Sequence, residues 1–441
     1  MNKNKYRHLV ADVEKPLLET DKKQVLSHIQ SSQEELDSFS DLTIDFLRTK
    51  AILAAETASF YLKQLCGFHQ QGYPSSDISY LYLLQEQLAA IENVFVALFR
   101  IHHGFVNLIY EEFPEVLAWL YLGQQFENQD KKSTLLGISI LDDLDTTLSI
   151  TLILRSDSLQ LDKILVRLIE GKSSNRDLYF QCVVLKQSVS IQLVKHWLEE
   201  KTLSQNTLHS YLALSNVNSS IQWLDEAKNY EDVLFEQLIL KEDRATWLYQ
   251  KYLPENKPSD IVCSYSKLLA LKECSEFDIQ KKHSYVHLVL CGDTTLVPMV
   301  IEHLKALDEY DAKPWYEALF ILYGELLPFL PSEIGVLIDW KDAYILLLEW
   351  KEKQDIEKTY ALRMGKPLDF DASITAMKSS EINAVLRDWL WRELCILSRV
   401  HFYWHAQLPF HDQERLFENI INIPLIRERF NLRGKNATVG Y

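Results

Sequence analysis

An all-α fold, with an N-terminal helical hairpin or bundle followed by stacked pairs of short helices, is predicted by three features of the sequence. Gly and Pro number 12 each in 441 residues, well below average usage, so the turn-formers an all-β chain needs are scarce. Long stretches carry apolar residues at helical spacing and are bounded by capping residues. The middle of the chain also repeats itself. Segments opening at Leu152, Cys182 and Leu212 share an apolar triplet, a short polar break and a second apolar run, thirty residues apart each time. The frame returns at Leu238 and Leu288 with altered spacing. A fixed period in the range of roughly 20–50 residues marks stacked supersecondary units.

Each element follows from local signals. Residues 1–40 read as a polar lead-in with one or two short helices. Asp41 caps a long helix running to about Cys66. The segment GFHQQGYPSSD reads as a loop, with Ser75, Ser76 and Asp77 as capping candidates for a second long helix from about Ile78 to Arg100. These two helices are expected to pack as an antiparallel hairpin in an N-terminal domain, residues 1–130. Pro114 opens a short helix, and NQDKKST (128–134) is a polar connector. The repeats occupy 131–331, each with a first helix (LDTTLSITLIL), a turn (RSDS) and a second helix (LQLDKILVRLIEG). A helix pair this short cannot bury both faces alone, which is why such units come in series.

The unit SYVHLVLCGDTTLVPMVIEHLKAL (284–307) is the most legible. Gly292 ends its first helix in the left-handed conformation, Asp293 or Thr294 caps the second, and Pro298 sits near that helix's start. Residues 332–430 read as a C-terminal helical region carrying five of the ten tryptophans, with KEKQDIEKTYALRMGKPL joining two helices. Residues 431–441 have no apolar period and read as a flexible tail.

This grammar of apolar helix, Gly-Asp turn and Val-Pro helix resembles a HEAT repeat. The string GDTTLVPMVIEHL, ALFILYG, YALRMGKPLDF and RDWLWRELCILS is similar to the C-terminal half of the HEAT-like accessory proteins encoded in bacterial type VI secretion clusters. Their Arg-Gly-Pro segment is matched by Arg363, Gly365 and Pro367, at tighter spacing, and the Arg that follows it by Arg387 with Glu393 and Leu394. The similarity covers roughly 285–400; residues 1–130 show none of it. It implies a HEAT-like α-solenoid with an accessory or assembly role in a secretion apparatus.

The formal charge of −16 and pI of about 5.3 disfavour nucleic acid and anionic lipid as partners. Cys66, Cys182, Cys263, Cys274, Cys291 and Cys395 form no CxxC pair and read as reduced core residues of a cytoplasmic protein. The N-terminus lacks the apolar core of a signal peptide. The two most apolar stretches, Val94 to Tyr110 and Leu135 to Leu154, contain Arg100, His102 and His103 and Asp142, Asp143 and Asp145 respectively, so membrane insertion is not expected.

Constellations that could carry chemistry read as structural. His401 and His405, four apart as on one helix face, lack the Glu of an HExxH site, and their aromatic setting favours packed rings. Asp142, Asp143 and Asp145, like Asp308, Glu309 and Asp311, suit a helix start. Cys291 with His287 one turn away takes a place that other units fill with Leu240 or Leu214, a core position. No cofactor, metal or catalytic residue is assigned. Trp315, Tyr316, Trp389 and Trp391 are the candidate protein-binding anchors.

The sequence is therefore expected to encode a non-enzymatic scaffold that binds another protein, a secretion-system component or an effector. Two alternatives stand beside it: a toxin-neutralising helical-repeat protein, and an enzyme with an unrecognised helical active site.

Overall fold

A computed structural model describes residues 19–432 apart from 40, 72–77, 124–130, 142, 157, 172, 227–229, 253–257, 272–276, 282, 354–360 and 406–407. The readings placed on the lead-in 1–18, Ser75, Ser76, Asp77, Asp142, Cys274 and most of the tail lie outside the described residues. Within them the fold is all-α, and it divides into two compact units. The first holds the described residues of 19–70, 78–215 and 408–409, and the second those of 216–405 and 410–432, with Gln71.

The first unit begins with α1 (Glu19–Asp37), α2 (Leu42–Gln71), α3 (Ile78–Ile101) and α4 (Gly104–Asn107). The Asp41 carboxylate accepts the Thr43 N–H, which starts α2 where the sequence places it. Polar contacts of α2 run to α1, through Arg48 to the Leu36 carbonyl, to Glu115, through Ser59 and Lys63, and to the Thr151 hydroxyl, which donates to the Cys66 sulfur. Among the described residues, α3 packs closely on α4, and α1 on α4 and on the later Lys131–Leu141 helix. The buried face of α2 is lined by Ala51, Ala55, Ala58, Leu62 and Leu65, and Phe46 and Phe60 lie on the opposite, exposed face.

Next come α5 (Pro114–Leu122), α6 (Lys131–Leu141), α7 (Thr146–Arg155), α8 (Leu159–Glu170), α9 (Arg176–Leu185), α10 (Ile191–Glu199) and α11 (Gln205–Leu214). Asp145 caps α7, Ser158 caps α8 and Ser190 caps α10, each accepting first-turn backbone N–H groups. Successive packing joins α5 to α6, α8 to α9 and α10 to α11. Lys186, at the end of α9, reaches Asp162 of α8 at 2.6 Å and the Ser156 carbonyl at 2.7 Å, and so ties three helix ends together in the interior.

The second unit contains α12 (Asn218–Glu226), α13 (Tyr230–Leu240), α14 (Arg244–Tyr252), α15 (Asp260–Leu268), α16 (Ser284–Cys291), α17 (Val297–Leu304) and α18 (Glu309–Tyr323). It is completed by α19 (Trp340–Lys353), α20 (Phe370–Lys378), α21 (Ala384–Ser398), α22 (Phe410–Ile421) and α23 (Pro424–Asn431). Successive helices pack together, α12 with α13, α14 with α15, α15 with α16 and α17 with α18, and so do helices further apart in the chain: α16 with α18 and α21, α13 with α21, α17 with α19, and α21 with α23. Among the described residues, no helix is long and apolar enough to cross a membrane.

The echoed positions share a setting. Leu152, Cys182, Leu212, Leu238 and Leu288 fall in the later half of α7, α9, α11, α13 and α16, and all five are buried. Several helix ends use the left-handed conformation without glycine: Gln187, Lys201, Asn216, Ala270 and Arg399 have φ between 53° and 60°. Gly292, at φ 63° and ψ 15°, closes α16 as its sequence context predicts.

The connector between α19 and α20 carries a small hairpin, β1 (Leu362–Arg363) against β2 (Lys366–Pro367), antiparallel with Arg363 opposite Lys366. Its two-residue turn, Met364-Gly365, has φ of 53° and 72°, the left-handed pair that a type I′ hairpin turn demands. A Cβ at Gly365 would lie 2.8 Å from both the Tyr323 carbonyl oxygen and the Leu326 Cδ1. Gly365→Ala is therefore expected to cost about 2 kcal/mol. Ala270→Gly, which removes a Cβ from a left-handed helix end, is expected to add up to about 1 kcal/mol. Urea melts of the two variants check both signs.

Candidate functional site: a buried arginine hairpin and an exposed apolar loop

The residues that carry the family resemblance converge in the second unit. The hairpin docks by its backbone: Leu362 N–H donates to the Gly292 carbonyl at 3.1 Å, Met364 N–H to that of Ile321 at 2.7 Å, and Gly365 N–H to that of Leu322 at 2.8 Å. Gly292, the end of α18 and the Arg-Gly-Pro segment thus form one joint. From it the Arg363 side chain runs inward. Its guanidinium meets Glu393 of α21 at 2.9 Å and the Val289 carbonyl of α16 at 3.0 Å, and both charged side chains are 0% exposed.

A second arginine behaves alike. Arg387 is buried, donates to the Met377 carbonyl at 2.9 Å and to Gln413 at 3.0 Å, and lies over the Trp404 ring at 5.0 Å. Charges so enclosed touch no solute from outside. Their geometry fits α16, α18, α20, α21 and α22 together, and a buried pair of this kind specifies an arrangement more than it stabilises one.

The other constellations resolve into packing. Residues 401–405 are not helical, because α21 ends at Ser398 and Arg399 turns the chain in the left-handed region; His401 and His405 therefore share no helix face. His401 packs edge-on against Phe235, Trp391 and Tyr403, and burial draws its pKa down to about 4. His287 faces the Ser264 hydroxyl at 3.0 Å, while the Cys291 thiol contacts the Leu288 carbonyl. Burial, followed by Lys267 and Lys281, lowers His287 to about 4. Asp145 and Asp308 are N-caps, of α7 and α18. Among the described residues, no group of three His, Cys, Asp or Glu stands where it could hold a metal ion.

The four aromatic candidates divide. Trp315 and Tyr316, 4% and 3% exposed, lie inside: Trp315 against Phe277, Tyr285 and His303, Tyr316 against Phe329 and Trp340. They offer no open ring to a partner. Trp389 and Trp391 are half-buried; Trp389 packs on Tyr265 beneath the Arg392 guanidinium, and the Trp391 indole donates to the Phe402 carbonyl at 3.0 Å.

The sequence reading passed over a loop, residues 331–338. The Glu333 carbonyl accepts the N–H groups of Val336, Leu337 and Ile338, and Gly335 N–H donates to Ile338. The Glu333 side chain accepts from Leu330 N–H, and Glu381 accepts from Ser332 N–H. This network holds Val336 and Leu337 outward, 79% and 76% exposed. The signal in the sequence was an apolar Val-Leu pair directly after Gly335, where a loop would be expected to carry polar residues.

No family model, no curated protein and no solved structure matches this chain.

Two outcomes are expected. Arg363→Met leaves the Glu393 carboxylate buried opposite an apolar chain and should cost about 3–5 kcal/mol; adding Glu393→Leu should recover most of the loss. Equal urea midpoints for the single and double variants would contradict this account. The second concerns Glu317, which accepts from the Asn383 N–H and side-chain amide. Burial raises its pKa from 4.5 to about 7, with the Asn383 bonds partly offsetting it. The folded protein thus holds the Glu317 proton more tightly than the unfolded chain, and stability is lost as pH rises through about 4.5–7. His287 and His401 act in the opposite sense, because the unfolded chain binds more protons between about 4 and 6.5. Both histidines remain in Glu317→Gln, so the melting-temperature difference between variant and wild type isolates the glutamate. It should shift in the variant's favour from pH 4.5 to 7 and then level off; a difference independent of pH refutes the assignment.

Proposed function

We propose that the chain is a non-enzymatic, cytoplasmic protein-binding scaffold, its helix pairs arranged as a HEAT-like solenoid, and that it serves as an accessory or assembly factor of a bacterial secretion apparatus. The observation that carries the binding role is the 331–338 loop. An apolar pair in the open, fixed by six backbone N–H groups, is preorganised for docking and loses little entropy when a partner covers it. Beneath it, Trp340 packs on Tyr316 and Tyr316 on Phe329, so Tyr316 supports the loop from below in this reading. Support for the secretion context is narrower. It lies in the convergence of Gly292, Arg363, Gly365 and Glu393, positions that the resemblance singled out, on one joint.

The test is crosslinking mass spectrometry on the full-length chain in its native host, comparing wild type with Val336→Glu/Leu337→Glu. Wild type should link residues 331–345 to a secretion-apparatus component, and the variant should lose that link while its melting temperature stays within about 2 °C. A small toxin at the same residues would favour the neutralising role instead. Links unchanged by the variant would remove the loop from the binding surface.

A further inference from the structure

Helix α2 is apolar on two opposite faces. One is buried through Ala51, Ala55, Ala58, Leu62 and Leu65. The other displays Phe46, Leu53 and Phe60, which are 59%, 49% and 55% exposed. Three large apolar side chains in a row on the solvent side of a helix are an unpaired seam, and the outer face of α2 has no cover among the described residues. Phe46, Leu53 and Phe60 recur at intervals of seven and so stand in one row along the helix, with Thr49, Lys50, Glu56 and Thr57 between them.

The stripe is also self-complementary about Leu53. Seven residues to either side stand Phe46 and Phe60, four to either side Thr49 and Thr57, and three to either side Lys50 and Glu56, all exposed. A two-fold axis through Leu53 therefore sets phenylalanine level with phenylalanine, threonine with threonine, and each lysine level with the opposite helix's glutamate. This is the requirement of an isologous contact, in which residue i meets residue j and j meets i. A parallel pairing would instead set Lys50 beside Lys50. The Lys50 ammonium already lies 5.3 Å from the centre of the Phe46 ring, over the surface that such a contact would bury. At 30 residues, α2 is about 45 Å long and accommodates the whole palindrome.

We propose that a second copy of this chain covers the outer face of α2, giving a two-fold symmetric dimer with the two α2 helices antiparallel about Leu53. This surface lies outside the loop assigned to partner binding, and the proposal does not depend on that assignment. Sedimentation equilibrium of the full-length protein tests it. Wild type should be dimeric and Leu53→Glu monomeric with unchanged helicity. Lys50→Glu should weaken the dimer at least about tenfold, and Lys50→Glu with Glu56→Lys should restore it. The axis has its own signature. Under mild oxidation Leu53→Cys should link to its own copy, whereas Phe46→Cys, displaced about 21 Å from its counterpart, should do so only when Phe60→Cys is also present. A wild type that is monomeric at all concentrations overturns the proposal, as does self-linking of Phe46→Cys alone.

Discussion

The second unit depends on a charge that water cannot reach. Placing the Arg363 guanidinium and the Glu393 carboxylate in the interior carries a desolvation cost that only close approach and further hydrogen bonds can offset. Val289 supplies one such bond from α16 and Ser373 another from α20. The pair therefore forms fully only when α16, α20 and α21 are all in place. The hairpin adds a positional constraint of its own, since three of its backbone N–H groups are satisfied by the ends of α16 and α18. A helical assembly that packed by apolar contact alone would have many near-equivalent registers; these directional bonds select one.

Both units cap their short helices with small polar side chains, and they differ in what else is buried. In the first, small serine and aspartate caps and the internal Lys186–Asp162 pair hold short helices in sequence. In the second, arginines do more of the work: Arg363, Arg387 and Arg392 each bridge elements far apart in the chain through guanidinium forks and ring faces. Planar delocalised cations suit this role because they stack on aromatics and hydrogen-bond in plane at once.

The helices were legible because their signals are local. Asp41, Asp145, Asp293 and Asp308 announce caps, Gly292 announces a left-handed end, and Leu152, Cys182 and Leu212 each fall on the buried side of a helix. What stayed hidden was set by distant groups. Nothing near Tyr316 or Trp315 states that they face inward, because an aromatic at helical spacing serves a core or an interface equally well. The hairpin was hidden because Met364, which carries half of its turn, is an unusual residue at positive φ and is held there by α18. The 331–338 loop was hidden because its rigidity comes from Glu333 and Glu381, residues whose composition suggests only a solvated turn.

The open Val336–Leu337 pair sits on a protein of formal charge −16. Like charge keeps molecules apart over about a Debye length, whereas oily surface acts only at contact. Colloidal behaviour in this protein is thus a contest between a long-range repulsion and a short-range stickiness. Added salt shortens the first and leaves the second intact, so the ionic strength of the surrounding medium sets how crowded the chain can become before it clumps.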